Sequence, residues 1–198
     1  VTGASDSLVA KTTLNEKTIS QLDILFPEQK AEDIISAALM LFFLRLSNQT
    51  SGTLGFVSGD LPEKIKTFEG IYTTWVPLNA SIDPANSVSA EIGKILPGIK
   101  KAEKSETFTR STRIRYPELR NNSADLPEII ISKASAETNL LNTDSIVINL
   151  VNNEISYHIP SGTKHSGVGS IAESFEMFLQ NLIEDPAKPV NEIGLPPK

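Results

Sequence analysis

Few residues in this chain could carry covalent chemistry. It has two histidines, His158 and His165, and no cysteine. The missing thiols exclude a disulfide framework, a zinc ribbon, a thiolate nucleophile and a cysteine-held iron–sulfur centre. An imidazole base must reach the proton it abstracts, and in a triad a third group orients it. No carboxylate spacing marks either histidine in that way. His158 falls on the polar phase of Ile155-Ser156-Tyr157-His158-Ile159, so alternation predicts a solvent-facing strand residue. No HExxH spacing offers a metal site, and no GxSxG elbow singles out a serine nucleophile. The paired acids Glu32-Asp33 and Glu184-Asp185 read as helix-surface charges, and Trp75 as a packing residue.

One loop has the composition of an anion cradle. Gly162-Thr163-Lys164-His165-Ser166-Gly167-Val168-Gly169-Ser170 precedes a helix, where backbone N–H groups and the helix dipole favour negative charge. A nucleotide P-loop would need Lys and then Ser or Thr directly after its second glycine, and Val168 follows Gly167. Lys164, His165, Gly167 and Gly169 are therefore candidates for anion or partner contact, not for nucleotide phosphate chemistry. The plainer expectation is an ordinary loop before a helix capped by Ser170 with Glu173.

The surrounding pattern predicts the elements that would position these groups. Helical spacing runs through Ile19, Leu22, Leu25 and Phe26 and stops at Pro27. Ile34 to Leu46 is apolar round most of its circumference and predicts a helix buried on more than one side. Thr53 to Ser58 and Gly70 to Leu78 read as strands, with Pro77 at an edge or strand end. Ser87 to Leu96 reads as a helix that Pro97-Gly98 should kink or end. Residues 100–127 read as a charged surface excursion. Ile129-Ile130-Ile131 forms a strand core. Ser145 to Val151 and Glu154 to Ile159 predict a hairpin across Asn152-Asn153. Ile171, Phe175, Phe178 and Leu182 mark the last long helix, which Asp185-Pro186 stops. Three units follow: a lead-in over 1–13, a domain over 14–185, and a proline-rich linker over 186–198.

Charge and hydropathy narrow the partners. The formal net charge of −6 argues against a nucleic-acid surface, and the one arginine-rich stretch, Arg110 to Arg120, also holds Glu118. The longest apolar run, Ile34 to Leu46, contains Ser36 and Arg45 and falls short of the ~20 residues of a membrane helix. No secretory pattern appears at the N-terminus, so the expectation is a cytoplasmic protein without membrane or nucleic-acid partners.

In order and spacing these elements resemble the C-terminal lobe of the condensation domain of nonribosomal peptide synthetases, a branch of the chloramphenicol-acetyltransferase-like acyltransferase fold. The likeness covers residues 14–195. It is carried by the Ile34 to Ser47 helix with its terminal Arg45, by Leu54-Gly55-Phe56-Val57-Ser58-Gly59, and by Glu69-Gly70-Ile71-Tyr72-Thr73-Thr74-Trp75-Val76-Pro77-Leu78. The closing helix from Ala172 to Leu182 and the segment from Asp185 to Ile193 complete it.

Departures from the family pattern are equally specific. Its catalytic signature is HHxxxDG, carried on the other lobe, and no adjacent histidines occur here. The family's Asn-Thr in the aromatic strand is Thr74-Trp75, and the Arg after Pro-Leu is Asn79. Glu103-Lys104-Ser105-Glu106-Thr107-Phe108 stands in place of its His-Gln-Asp…Pro-Phe-Glu segment. The Lys164–Gly169 loop replaces its Asp-Leu-Phe.

The resemblance implies an α/β fold, a mixed sheet packed with helices forming one lobe of a two-lobed architecture. It implies a partial, noncatalytic condensation-like domain, with an adjacent adenylation domain and a carrier protein as partners. No cofactor would bind directly; phosphopantetheine would arrive on the carrier. The alternative is half of an active amide-forming domain whose catalytic N-terminal lobe lies elsewhere. A third possibility is an unrelated module whose glycine loop contacts an anionic ligand.

Overall fold

A computed structural model describes residues 8–68, 71–104, 107, 127–134, 145–159 and 168–194. Strands β1 (Leu8–Thr13), β2 (Ser51–Val57), β3 (Val76–Ser81), β4 (Ile129–Ser132), β5 (Ile146–Val151) and β6 (Glu154–His158) form one sheet in the order β1-β6-β5-β4-β2-β3. β2, β4 and β5 run parallel, whereas β3 and β6 pair antiparallel with their neighbours. The sheet is therefore mixed, as expected. Pro77 lies on the edge strand β3, where a missing N–H costs no interior ladder bond.

The main core lies between the sheet and four helices: α1 (Glu16–Leu25), α2 (Ala31–Leu46), α4 (Val88–Lys104) and α5 (Val168–Glu184). α1 starts where the Asn15 side chain accepts from the Thr18 N–H at 2.8 Å. α2 is buried almost all round, from Asp33 through Phe42, as its apolar circumference predicted. Phe42 packs edge-on against Phe175 and Phe178, with ring centroids 5.5 and 5.7 Å away. Such pairs contribute about 0.5–1.5 kcal/mol beyond their buried area. α2 ends as Asn48 takes a positive φ of 56° and the Gln49 N–H bonds back to the Leu44 carbonyl.

Strand alternation separates two faces. Phe56, Ile131, Ile148, Leu150 and Ile155 join the main core. Val57, Ile130 and Val147 join a smaller cluster on the other face, with Leu61 and Ile65 of the short helix α3 (Leu61–Ile65). The β5–β6 turn is as predicted: Asn152 and Asn153 both hold positive φ, 52° and 62°, as a two-residue hairpin turn needs. Gly55 has no room for a side chain, because a Cβ there would meet Pro127 at 2.7 Å and Ile130 at 2.9 Å.

Several expectations are corrected. β3 begins only at Val76, so Ile71 to Trp75 do not form a strand. Tyr72 and Trp75 pack against the smaller cluster instead, and that packing outweighs the β-propensity of the segment. α4 runs through Pro97 to Lys104, because Ile92, Ile95, Leu96, Ile99 and Ala102 stay buried on one stripe across it. Residues 100–104 thus belong to a helix, while 108–126 lie outside the described residues. α5 begins at Val168, which puts Ser170 inside the first turn and not at the cap. Residues 186–194, expected to start an extended linker, pack onto the domain. Val190 and Ile193 are buried there, Arg45 donates to the carbonyls of Val190 and Asn191 at 3.2 and 2.9 Å, and Val88 donates to Lys188.

Tyr157 generates a test of the core. It lies on β6, 1% exposed, and its hydroxyl bonds to no described residue. Burial, reinforced by the negative charge of Glu176, pushes the phenol above its ordinary range. A raised pKa means that the folded state keeps the proton after the unfolded chain loses it. This contribution is fully present below the unfolded value of about 10 and is lost as pH climbs toward the folded value. Tyr157→Phe should raise stability at neutral pH by about 1 kcal/mol and flatten the loss above pH ~10. Urea unfolding of both proteins across neutral and alkaline pH measures both effects. Parallel alkaline slopes would contradict the assignment.

Candidate functional site

The parallel strands β2 and β4 end side by side. The Lys133 N–H bonds to the Val57 carbonyl at 3.0 Å, and a Cβ on Gly59 would lie 3.1 Å from the Lys133 carbonyl. Crevices at the carboxyl ends of parallel strands are common ligand positions in α/β sheets. Here a crevice of about 440 Å³ opens between the Ser58–Asp60 turn, α3, Phe68, Tyr72 and the last turn of α4. Phe68 and Tyr72 meet edge to face at 5.8 Å. Thr107 closes one wall by donating its hydroxyl to the Thr73 carbonyl.

Lys133 lies beneath this crevice. Ile129, Ile131 and Lys133 share the main-core phase of β4, so strand geometry turns the lysine inward. Its side chain is 4% exposed. The ammonium contacts Asp33 of α2 and lies 2.7 Å from Glu103 of α4 and 5.9 Å from the centre of the Phe56 ring. Asp33 is equally buried, and Glu103 reaches the crevice wall. At the rim, Lys64 and Asp60 are 2.6 Å apart. That hydrogen bond, with the Lys64 charge and the Ser58 hydroxyl, holds the Asp60 carboxyl below the usual carboxylate range. The pair is well exposed, so it adds little stability.

Of the residues singled out in the sequence, His158 and Gly169 are described, and neither lines this crevice. Lys164, His165 and Gly167 lie outside the described residues, and Gly169 occupies the first turn of α5. His158 is 7% exposed, which corrects its solvent-facing assignment. Its cross-strand neighbour Val147 belongs to the smaller cluster, so both faces of the hairpin are covered. Its Nε2 lies 3.2 Å from the Ser156 hydroxyl, and it is not among the walls of the crevice. Among the described residues no cluster of His, Asp and Glu could hold a metal ion, and no helix is long and apolar enough to cross a membrane.

Sequence reading missed Lys133, Asp33 and Glu103. Asp33 was read as a surface charge and Glu103 as part of a surface excursion. The available signal was strand parity: Lys133 continues the Ile129-Ile131 phase. Among the described residues the crevice offers aromatic surface and fixed charges. Another cavity, about 640 Å³, opens at the opposite strand ends against Met40, Phe43, Leu54 and Ile146, with mostly apolar walls.

The architecture is a lobe of the condensation-domain type. No family model matches the sequence, and neither does any curated protein. Solved structures do match. A four-domain nonribosomal peptide synthetase, holo-AB3403 bound to AMP and glycine, superposes with a TM-score of 0.70 at 11% identity, over 98% of this chain and 18% of that one. The condensation domain from the Monacolin K polyketide synthase MokA gives 0.64 at 12% identity, over 91% and 48%. The first condensation domain of the CDA synthetase gives 0.60 at 15% identity, over 98% and 49%. The chain thus spans about half the length of the condensation-domain structures it matches, and at these identities the likeness is one of fold.

The ion cluster generates a graded test. Breaking a buried pair by removing one partner costs about 3–5 kcal/mol, whereas replacing the whole cluster with apolar groups is often near neutral. Lys133→Met should therefore destabilise by about 3–5 kcal/mol, and the combination Asp33→Leu, Glu103→Leu, Lys133→Met should recover most of it. Denaturant midpoints compare the two. A triple variant as unstable as the single one would show that the cluster does not act as a buried charge network.

Proposed function

We propose that this chain is a noncatalytic, condensation-like half-domain of a nonribosomal peptide synthetase, a platform for neighbouring adenylation and carrier domains. The observation that supports the reading is a fold shared with condensation domains over 91–98% of the chain, in a sequence without adjacent histidines. A positioned general base contributes typically ~10²–10⁴-fold to rate, and the walls of the crevice supply no histidine among the described residues. What remains is positioning, which has value only when the reacting groups arrive on other domains. Phosphopantetheine would then be borne by a carrier protein, and the setting would be the cytoplasm.

A second reading rests on the half-length match: this lobe completes an active condensation domain whose other lobe carries the HHxxxDG signature. One experiment separates the two. The purified chain is mixed with donor and acceptor carrier domains loaded through phosphopantetheine, with and without a separately expressed condensation N-terminal lobe. Amide product is followed by mass spectrometry. The platform reading expects no product above the protein-free background in either mixture. Product only with the added lobe replaces it by the second reading, and product from the chain alone overturns both.

A further inference from the structure

The outward face of α4 carries charge of one sign. From Gly93 onward its exposed residues are Gly93, Lys94, Pro97, Lys100, Lys101 and Lys104, without an acid among them. Lys94 is held by Glu91 at 2.6 Å. Lys100 and Lys104 pair with no described residue. Lysine near a helix C-terminus stabilises the dipole, which accounts for one or two such residues. It does not account for their stems walling a recess of about 440 Å³ over Pro97.

That recess adjoins the aromatic crevice, and Lys104 lines both. Phe68, 49% exposed, lines the crevice, and Ile71, 55% exposed, donates its backbone N–H to the Phe68 carbonyl. The two acids of the crevice are each paired, Asp60 with Lys64 and Glu103 with Lys133, which also holds Asp33. The surface thus combines an apolar anchor point with adjoining cations, on a protein whose net charge is −6. Interfaces of this build place an apolar side chain in a central pocket and complementary charges at the rim.

We propose that this surface docks an acidic amphipathic helix of a partner protein. An apolar side chain of the partner enters beside Phe68 and Tyr72, and its carboxylates meet Lys100 and Lys104. Helical spacing matches, since residues three and four apart on the partner project toward one face as those of α4 do. A nucleic acid fits less well, because the net charge of −6 opposes a long polyanion more than a short helix. A membrane fits less well because the apolar contribution is confined to Phe68 and Ile71. The inference deepens the platform reading and rests on it for the existence of a partner.

The probe is a short helical peptide with leucine on one face and glutamate on the other, labelled for fluorescence anisotropy. Comparators are the same peptide with lysine for glutamate, a single-stranded oligonucleotide and phosphatidylserine vesicles. The Leu/Glu peptide should bind, weaken with added salt, and weaken about tenfold on the double reversal Lys100→Glu, Lys104→Glu. Phe68→Ser should weaken it independently of salt. The charge-matched control Lys17→Glu, Lys30→Glu should bind as the parent does. Circular dichroism verifies that each variant is folded, and the salt titration of the parent reads the charge contribution without any variant. Equal loss in patch and control variants, absence of binding, or tighter binding of oligonucleotide or vesicles would overturn the docking surface. None of these outcomes bears on amide formation, which tests the platform reading separately.

Discussion

Lys133 joins three elements that have no covalent reason to meet: the carboxyl end of β4, the first turn of α2 and the last turn of α4. Its two carboxylates are not equivalent. Asp33 lies where the helix dipole of α2 favours negative charge, whereas Glu103 lies at the end of α4, where the dipole opposes it. The ammonium offsets that unfavourable placement. Net stabilisation from such a cluster is modest, because burying each ion is costly. Its effect is geometric: any other position for the end of α4 takes Glu103 away from the ammonium.

The opposite end of α4 is held by different means. Residues 186–191 run along it, with backbone bonds from Val88 to Lys188, Ser89 to Pro186 and Val190 to Asn86. The Asn86 side chain in turn donates to Glu91 at 2.7 Å, and Arg45 ties the strap to α2. A helix fixed at both termini, with its buried stripe spanning the interior proline, presents its outer residues at fixed spacing. That is the property a docking face requires, since binding then does not bear the cost of ordering it. Glu103 links the two functions of the helix: the carboxylate that lines the crevice is also the one that Lys133 anchors.

Periodicity and turn chemistry made most elements legible. The apolar circumference of Ile34 to Leu46, the alternation in β5 and β6, and the Asn152-Asn153 turn are local signals, and local signals are what a sequence displays. Pro97 and Ile71 to Trp75 were misread because tertiary burial overrode propensity. Ile99 and Ala102 keep a helix going past its proline, and Tyr72 and Trp75 satisfy their apolar surface without joining a strand. The site was less legible. Residue type places Asp33 on the surface although the crowded circumference of α2 says otherwise, and strand parity, which turns Lys133 inward, went unused. His158 failed in the same way, since alternation reports phase and not what covers the second face.

The continuous core bears on which surfaces of the lobe are open to association. Leu14, between β1 and α1, and Ile193, beyond α5, belong to one hydrophobic cluster, so a single core ties the described elements together. Among the described residues the sheet has two edges, β1 and β3. β3 carries Pro77, and β1 places Lys11 against Glu154 at 2.7 Å, both features that discourage further strand pairing. With the edges blunted, helix faces and crevices are the surfaces left for specific association. Of these, α4 with the adjoining aromatic crevice is the one whose position is pinned by buried charge.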